Sequence, residues 1–171
     1  MDEALIDEWN KIVGPKDEVW VLGDFAFGKP PYILEQLKRR RGRKHLVFGN
    51  HDREIEKHPA RYLSKYVPGT FDTIQYYKEL KHVCDHRLFL FHYACRVWKG
   101  SHHNSIHLHG HSHGSLEPGW GRSLDVGVDC RLITDEYRPI ALDEILEYMR
   151  DRPFKVVDHH GMPKVGFGPE L

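Results

Sequence analysis

The 171-residue sequence predicts an α/β fold. Short apolar runs end in polar turns, stretches with apolar residues at helical spacing lie between them, and beyond Gly69 the composition turns aromatic and β-branched.

Leu5, Ile6, Trp9, Ile12 and Val13 recur at helical spacing until Gly14-Pro15 stops the pattern, so residues 2 to 13 are expected to form an amphipathic helix. Val19 to Leu22 is an unbroken apolar run closed by Gly23-Asp24, which predicts a strand buried on both faces. A second helix is expected from Pro31, turning Ile33, Leu34 and Leu37 inward and ending before Gly42. The next strand is His45 to Phe48, running into Gly49-Asn50-His51-Asp52. Glu54 to Tyr66 reads as helix broken by Pro59. Thr73 to Tyr77, Arg87 to His92, Ile106 to His109 and Ser123 to Val128 read as strands, and Leu142 to Arg150 as a closing helix. Residues 1 to 152 are expected to form one domain, with 153 to 171 as a Pro- and Gly-rich tail.

Composition narrows the function. Twenty-five basic residues balance twenty-five acidic ones, which disfavours nucleic acid and anionic membrane as partners held by a general field. The three cysteines are odd in number and form no CxxC pair, so a reducing, cytoplasmic setting is expected. No apolar run reaches the roughly 18 residues of a membrane span. The unusual feature is fourteen histidines, many of them between His82 and His113, and metal binding is the first reason to consider.

Four polar turns follow expected strands: Gly23-Asp24, Gly49 to Asp52, His92, and Gly110-His111-Ser112-His113. Strand ends bring distant positions to one edge of an α/β sheet. The residue types are Asp, Asn and His, the donors of borderline and hard divalent ions such as manganese, iron, nickel or zinc.

This succession of GD, GNHD, a strand-end histidine and GHSH, from Glu18 to about Asp129, resembles the signature blocks of the calcineurin-like metallophosphoesterases, and is closest to their small bacterial and phage members. The resemblance implies two mixed sheets packed as a sandwich with helices outside. It implies hydrolysis of a phosphomonoester or phosphodiester, in a small molecule or nucleotide, by a hydroxide held between two divalent ions. Asp24 would bridge the ions, Asn50, His92 and His111 would complete one site, and His113 would serve the other. His51 would assist the leaving group without binding metal, with Asp52 orienting its imidazole. Family members open with a strand ending in D-x-H, whose Asp and His hold the first ion, and no such motif precedes Glu18. The chain is therefore expected to be short by that strand, upstream of Met1, and its first metal site to be incomplete.

Rival readings attach to several of these residues. The chain could be an inactive or single-metal binding protein that keeps only the second site. His102, His103, His107, His159 and His160 read as ordinary polar residues, and His109 as turned away from the site. Arg39, Arg40, Arg41, Arg43 and Lys44 could be a nucleic-acid patch, but they follow a helix and suit its C-terminal dipole. Arg96 could clamp a phosphate while Trp98 stacks on a substrate ring, or Trp98 could be buried in a surface loop. Asp125 and Asp129 are expected to support the site from behind.

Overall fold

The computed structural model describes residues 2–117 and 121–153. Two sheets face each other, with helices packed around them. The first sheet holds β1 (Glu18–Val21), β2 (Arg43–Val47) and β3 (Phe71–Gln75), all parallel and in that order. The second holds β4 (Tyr77–Val83), β5 (His86–Phe91), β6 (Ile106–His109) and β7 (Ser123–Asp125). In it β4 is antiparallel to β5, while β5, β6 and β7 run parallel.

Alternation along the strands explains the layers. Trp20, Leu22 and Val47 turn toward the second sheet and join Leu88, Leu90, Leu108 and Leu124 in one core. Leu46 and Val21 turn the other way, onto α2 (Pro30–Arg39), where Ile33, Leu37, Phe71 and Tyr62 form a second core. The helix α4 (Leu142–Met149) buries Ile145 and Met149 against the first core, as its 3.6-residue spacing predicts. Helix α1 (Asp2–Ile12) buries Ile6 and Trp9. It is fastened to the end of α2 by the Trp9 indole donating to the Arg41 carbonyl at 3.0 Å and the Asn10 amide donating to the Arg39 carbonyl at 2.9 Å.

Four expectations need correction. The apolar residues of β1 are half-buried, because β1 is an edge strand and its outer side borders an apolar cleft of about 770 Å³ between the sheets. The strand expected over Thr73 to Tyr77 ends at Gln75, and Tyr77 opens β4, an element that sequence reading missed. Its pattern Lys78, Glu79, Lys81, His82 is too polar to signal a strand, yet charge is what an edge strand carries. The stretch after Asp52 is only a short helix, α3 (Arg53–Lys57), followed by a 3-10 turn at Pro59–Tyr62. Strand β7 stops at Asp125, since the backbone N–H of Gly127 turns back to the Asp125 carboxylate at 2.9 Å.

The basic run after α2 is consumed within the fold. The Lys44 ammonium donates to the carbonyls of Arg40 and Gly42 at 2.8 and 3.0 Å, closing the helix end, and Arg40 lies over the rings of Trp9 and Phe25. Arg39 pairs with Glu3, and Arg43 with Glu18 and Asp72. Among the described residues no helix is long and apolar enough to cross a membrane. His159, His160 and nearly all of the expected tail lie outside the described residues.

Candidate metal centre

Parallel pairing brings the C-terminal ends of β1, β2, β5, β6 and β7 to the same region, and backbone bonds continue past the strand ends to fix the turns there. Phe48 N–H donates to Gln75, Gly110 N–H to His92, and Val126 N–H to His109, at 2.9, 3.1 and 2.8 Å.

The turn after β1 is held by the turn after β2. Asp52 is only 2% exposed, and its carboxylate accepts the backbone N–H groups of Asp24 (2.8 Å), Phe25 (3.0 Å) and Gly49 (2.8 Å). Burial pushes the Asp52 carboxyl above the usual carboxylate range, and those three N–H groups pull the other way. The expected Asp52 support for the His51 imidazole is therefore corrected: no hydrogen bond joins the two side chains among the described residues, because the Asp52 oxygens are engaged by backbone. In return the His51 N–H donates to Asp24 Oδ1 at 2.8 Å, which leaves Asp24 Oδ2 facing inward. Two glycines make this approach possible. A Cβ on Gly49 would lie 2.2 Å from Asp24 Oδ1, and one on Gly23, at φ 95°, would lie 2.3 Å from His92 Nδ1.

His92, 1% exposed, reports what the site wants. Its Nδ1 lies 2.7 Å from the Leu22 carbonyl, which can only accept, so Nδ1 carries a proton. In the neutral ring the Nε2 lone pair then faces Asn50 Oδ1 at 2.9 Å and Asp24 Oδ2 at 3.5 Å, with nothing to donate between them. With the Asn50 carbonyl oxygen facing Nε2, three electron-rich atoms converge at a partly buried spot, an arrangement that a cation or a proton among them would relieve. The ligand atoms of Asp24, His92 and His111 all lie within 4.8 Å of one another, so the donor set fits a divalent ion. The Nδ1–H bond to a backbone carbonyl is also the usual device for aiming a ligating imidazole.

The turn after β6 is more exposed, with His111 and His113 both open to solvent. Asp24, His111 and His113 adopt φ of 55°, 64° and 50°, left-handed conformations that cost non-glycine residues on the order of 1 kcal/mol or more each and that concentrate at functional sites. Asp125 holds this turn by accepting Gly114 N–H at 3.0 Å. His113 stands outside the Asp24, His92 and His111 group, with Nδ1 bonded to Asp129 Oδ2 at 2.6 Å. Its exposed imidazole is held above the usual histidine value by that carboxylate.

Other expected residues fall elsewhere. Arg96 lies exposed on the loop after β5. Trp98 is 7% exposed and its indole donates to Ser105, so it packs in the interior and cannot stack on a substrate ring. His109 is buried, its ring tilted against that of His107 with centroids 5.2 Å apart. Two aromatics that sequence reading passed over flank the centre: Phe27, 5.1 Å from the His51 ring, and Tyr93, 4.8 and 4.7 Å from the rings of His92 and His111. Tyr93 could have been noticed as the residue following His92; nothing in the sequence marks Phe27 as exposed.

His107 fixes the loop that carries Tyr93. Its ring donates from Nδ1 to the Phe89 carbonyl at 3.1 Å and accepts the Cys95 N–H on Nε2 at 3.0 Å. Fully buried, it is driven down to about 4, chiefly by desolvation. A histidine depressed in the folded state takes up its proton first when unfolded, so stability is lost as pH falls from about 6.5 toward about 4, by roughly 3 kcal/mol at the lower end. Urea unfolding between pH 7 and pH 4 should show this slope in the native chain and a slope shallower by one proton in His107→Gln. Identical slopes would remove His107 from the account.

No protein-family profile matches the chain. It is 41% identical over 54 residues to Gene 66 protein of Mycobacterium phage L5, a match covering 30% of this chain and about a quarter, 26%, of that protein. It is 28% identical over 177 aligned positions to Gene 66 protein of Mycobacterium phage D29, covering 88% of this chain and 83% of that protein. Among solved structures it resembles AQ665 of Aquifex aeolicus, described as a protein of unknown function, with a TM-score of 0.59 at 24% identity over 85% of this chain and 83% of the other. That likeness concerns the fold alone.

Proposed function

We propose that this chain is a metal-dependent phosphoester hydrolase of the calcineurin-like metallophosphoesterase type. The observation that carries the reading is the His92 Nε2 lone pair facing the oxygens of Asp24 and Asn50, with His111 beside them. Those four residues would hold a divalent ion of the manganese, iron, nickel or zinc kind. When bound, such an ion neutralises charge on a phosphoryl group and acidifies water. The chain's own residues supply the rest. Asp52 and the two glycines lock the Asp24 and Asn50 turns in register, and the Leu22 carbonyl fixes the His92 tautomer. His51, whose backbone N–H bonds to Asp24, presents an exposed side chain that would give a proton to a departing alkoxide.

One observation favours a second reading, a protein that binds a single ion without turnover. Among the described residues the ligands gather into one group, and His113 is engaged with Asp129 instead. The two readings separate on one assay. The manganese-loaded chain should hydrolyse bis(p-nitrophenyl) phosphate or p-nitrophenyl phosphate, and chelation should abolish the rate. Stoichiometric metal without any hydrolysis would select the second reading.

A further inference from the structure

We infer that Phe27 and Tyr93 form a ring-binding subsite beside the centre, so that the preferred substrate is a phosphoester whose organic group carries a planar ring. The inference rests on the hydrolase reading for its phosphate pole. Phe27 is 66% exposed and lies against the catalytic candidate His51, with ring centroids 5.1 Å apart. Isolated exposed aromatics are common, so position decides the argument. The segment that carries Phe27 is anchored at both ends. Asp52 holds the N–H groups of Asp24 and Phe25, the Phe25 ring packs edge-on against Phe71, and Gly28 passes so close to Tyr32 that a Cβ there would lie 2.9 Å from its ring. Phe25 and Ala26 join the core while Phe27 is left outside it.

Tyr93 is placed with equal firmness. It packs edge-on against His92 and His111 and is 40% exposed, and the backbone two residues on is tied to the buried His107. Phe27 thus stands beside His51, whose backbone is bonded to the ligand candidate Asp24, and Tyr93 stands beside the ligand candidates His92 and His111. A nucleobase or an aryl group esterified to a phosphate at those ligands would meet one of the two rings, and stacking tolerates any planar ring because every such ring has a π-face.

The test compares ligands that differ by a ring. AMP and ribose 5-phosphate share a phosphate and a sugar; phenyl phosphate keeps a ring without a nucleoside. With the manganese-loaded full chain, both calorimetric binding and kcat/KM should favour AMP over ribose 5-phosphate. Phe27→Ala should lower that preference by about 5- to 150-fold, mainly through binding, and Phe27→Trp should restore it. A parallel loss for phenyl phosphate identifies any aryl ring as the recognised group; a loss confined to AMP identifies the nucleobase. Equal binding of AMP and ribose 5-phosphate, no binding of either, or an unchanged preference in Phe27→Ala would overturn the subsite. If no ester is turned over, the hydrolase reading fails separately, and the binding comparison still decides the subsite.

Discussion

His51→Ala is expected to lower turnover by about 10²–10⁴-fold, the range of a lost general acid, while metal content stays at the native level. The structure makes this separation clean. What His51 contributes to Asp24 is a backbone N–H, which alanine retains, while the exposed ring lies outside the cluster of Asp24, His92 and His111. The deficit should shrink for esters of p-nitrophenol, whose weakly basic phenolate leaves without a proton, and should be largest for alkyl esters, whose alkoxide needs one. An equal deficit for both would assign His51 to positioning the substrate. Because Asp52 bonds to backbone and not to the imidazole, Asp52→Asn should alter the folding of the two turns without reproducing this leaving-group dependence.

Gly49→Ala should abolish metal binding and lower stability by about 1–3 kcal/mol, the usual cost of forcing atoms into filled space. The added methyl would lie 2.2 Å from Asp24 Oδ1 and 2.6 Å from Asp24 N. Neither atom can retreat, since Oδ1 is held by the His51 N–H and the Asp24 N–H by the Asp52 carboxylate. The residue forced to move is the one expected to bind the ion. Thermal unfolding together with metal analysis checks this, and a Gly49→Ala chain with native metal content would show that the two turns are not packed as described.

The turns were legible from sequence because Gly-Asp, Gly-Asn-His-Asp and Gly-His-Ser-His each break an apolar run, and a parallel sheet has to bring such breaks to one edge. What stayed hidden depends on partners distant in the chain. Asp52 looked like a partner for its neighbour His51, but its oxygens are claimed by N–H groups from the β1 turn, some 28 residues away in sequence for Asp24. Trp98 looked like a stacking surface, but the hydroxyl and carbonyl of Ser105 draw its indole inward. Strand β4 was missed because its charges belong to an edge, and which strand lies at an edge is decided by pairing order. The exposure of Phe27 follows from the burial of Phe25 and Ala26, and hydrophobicity alone does not distinguish the three.

Binding of a divalent transition metal by Asp24, Asn50, His92 and His111 is tested most directly by metal content per chain after incubation with manganese and removal of the unbound ion, in the native protein and in His92→Ala. About one or more ions per native chain and a marked loss in the variant are expected, because the buried imidazole aimed at Asp24 and Asn50 is then gone. Near-zero content in both proteins, or equal content in both, would contradict metal binding at these residues.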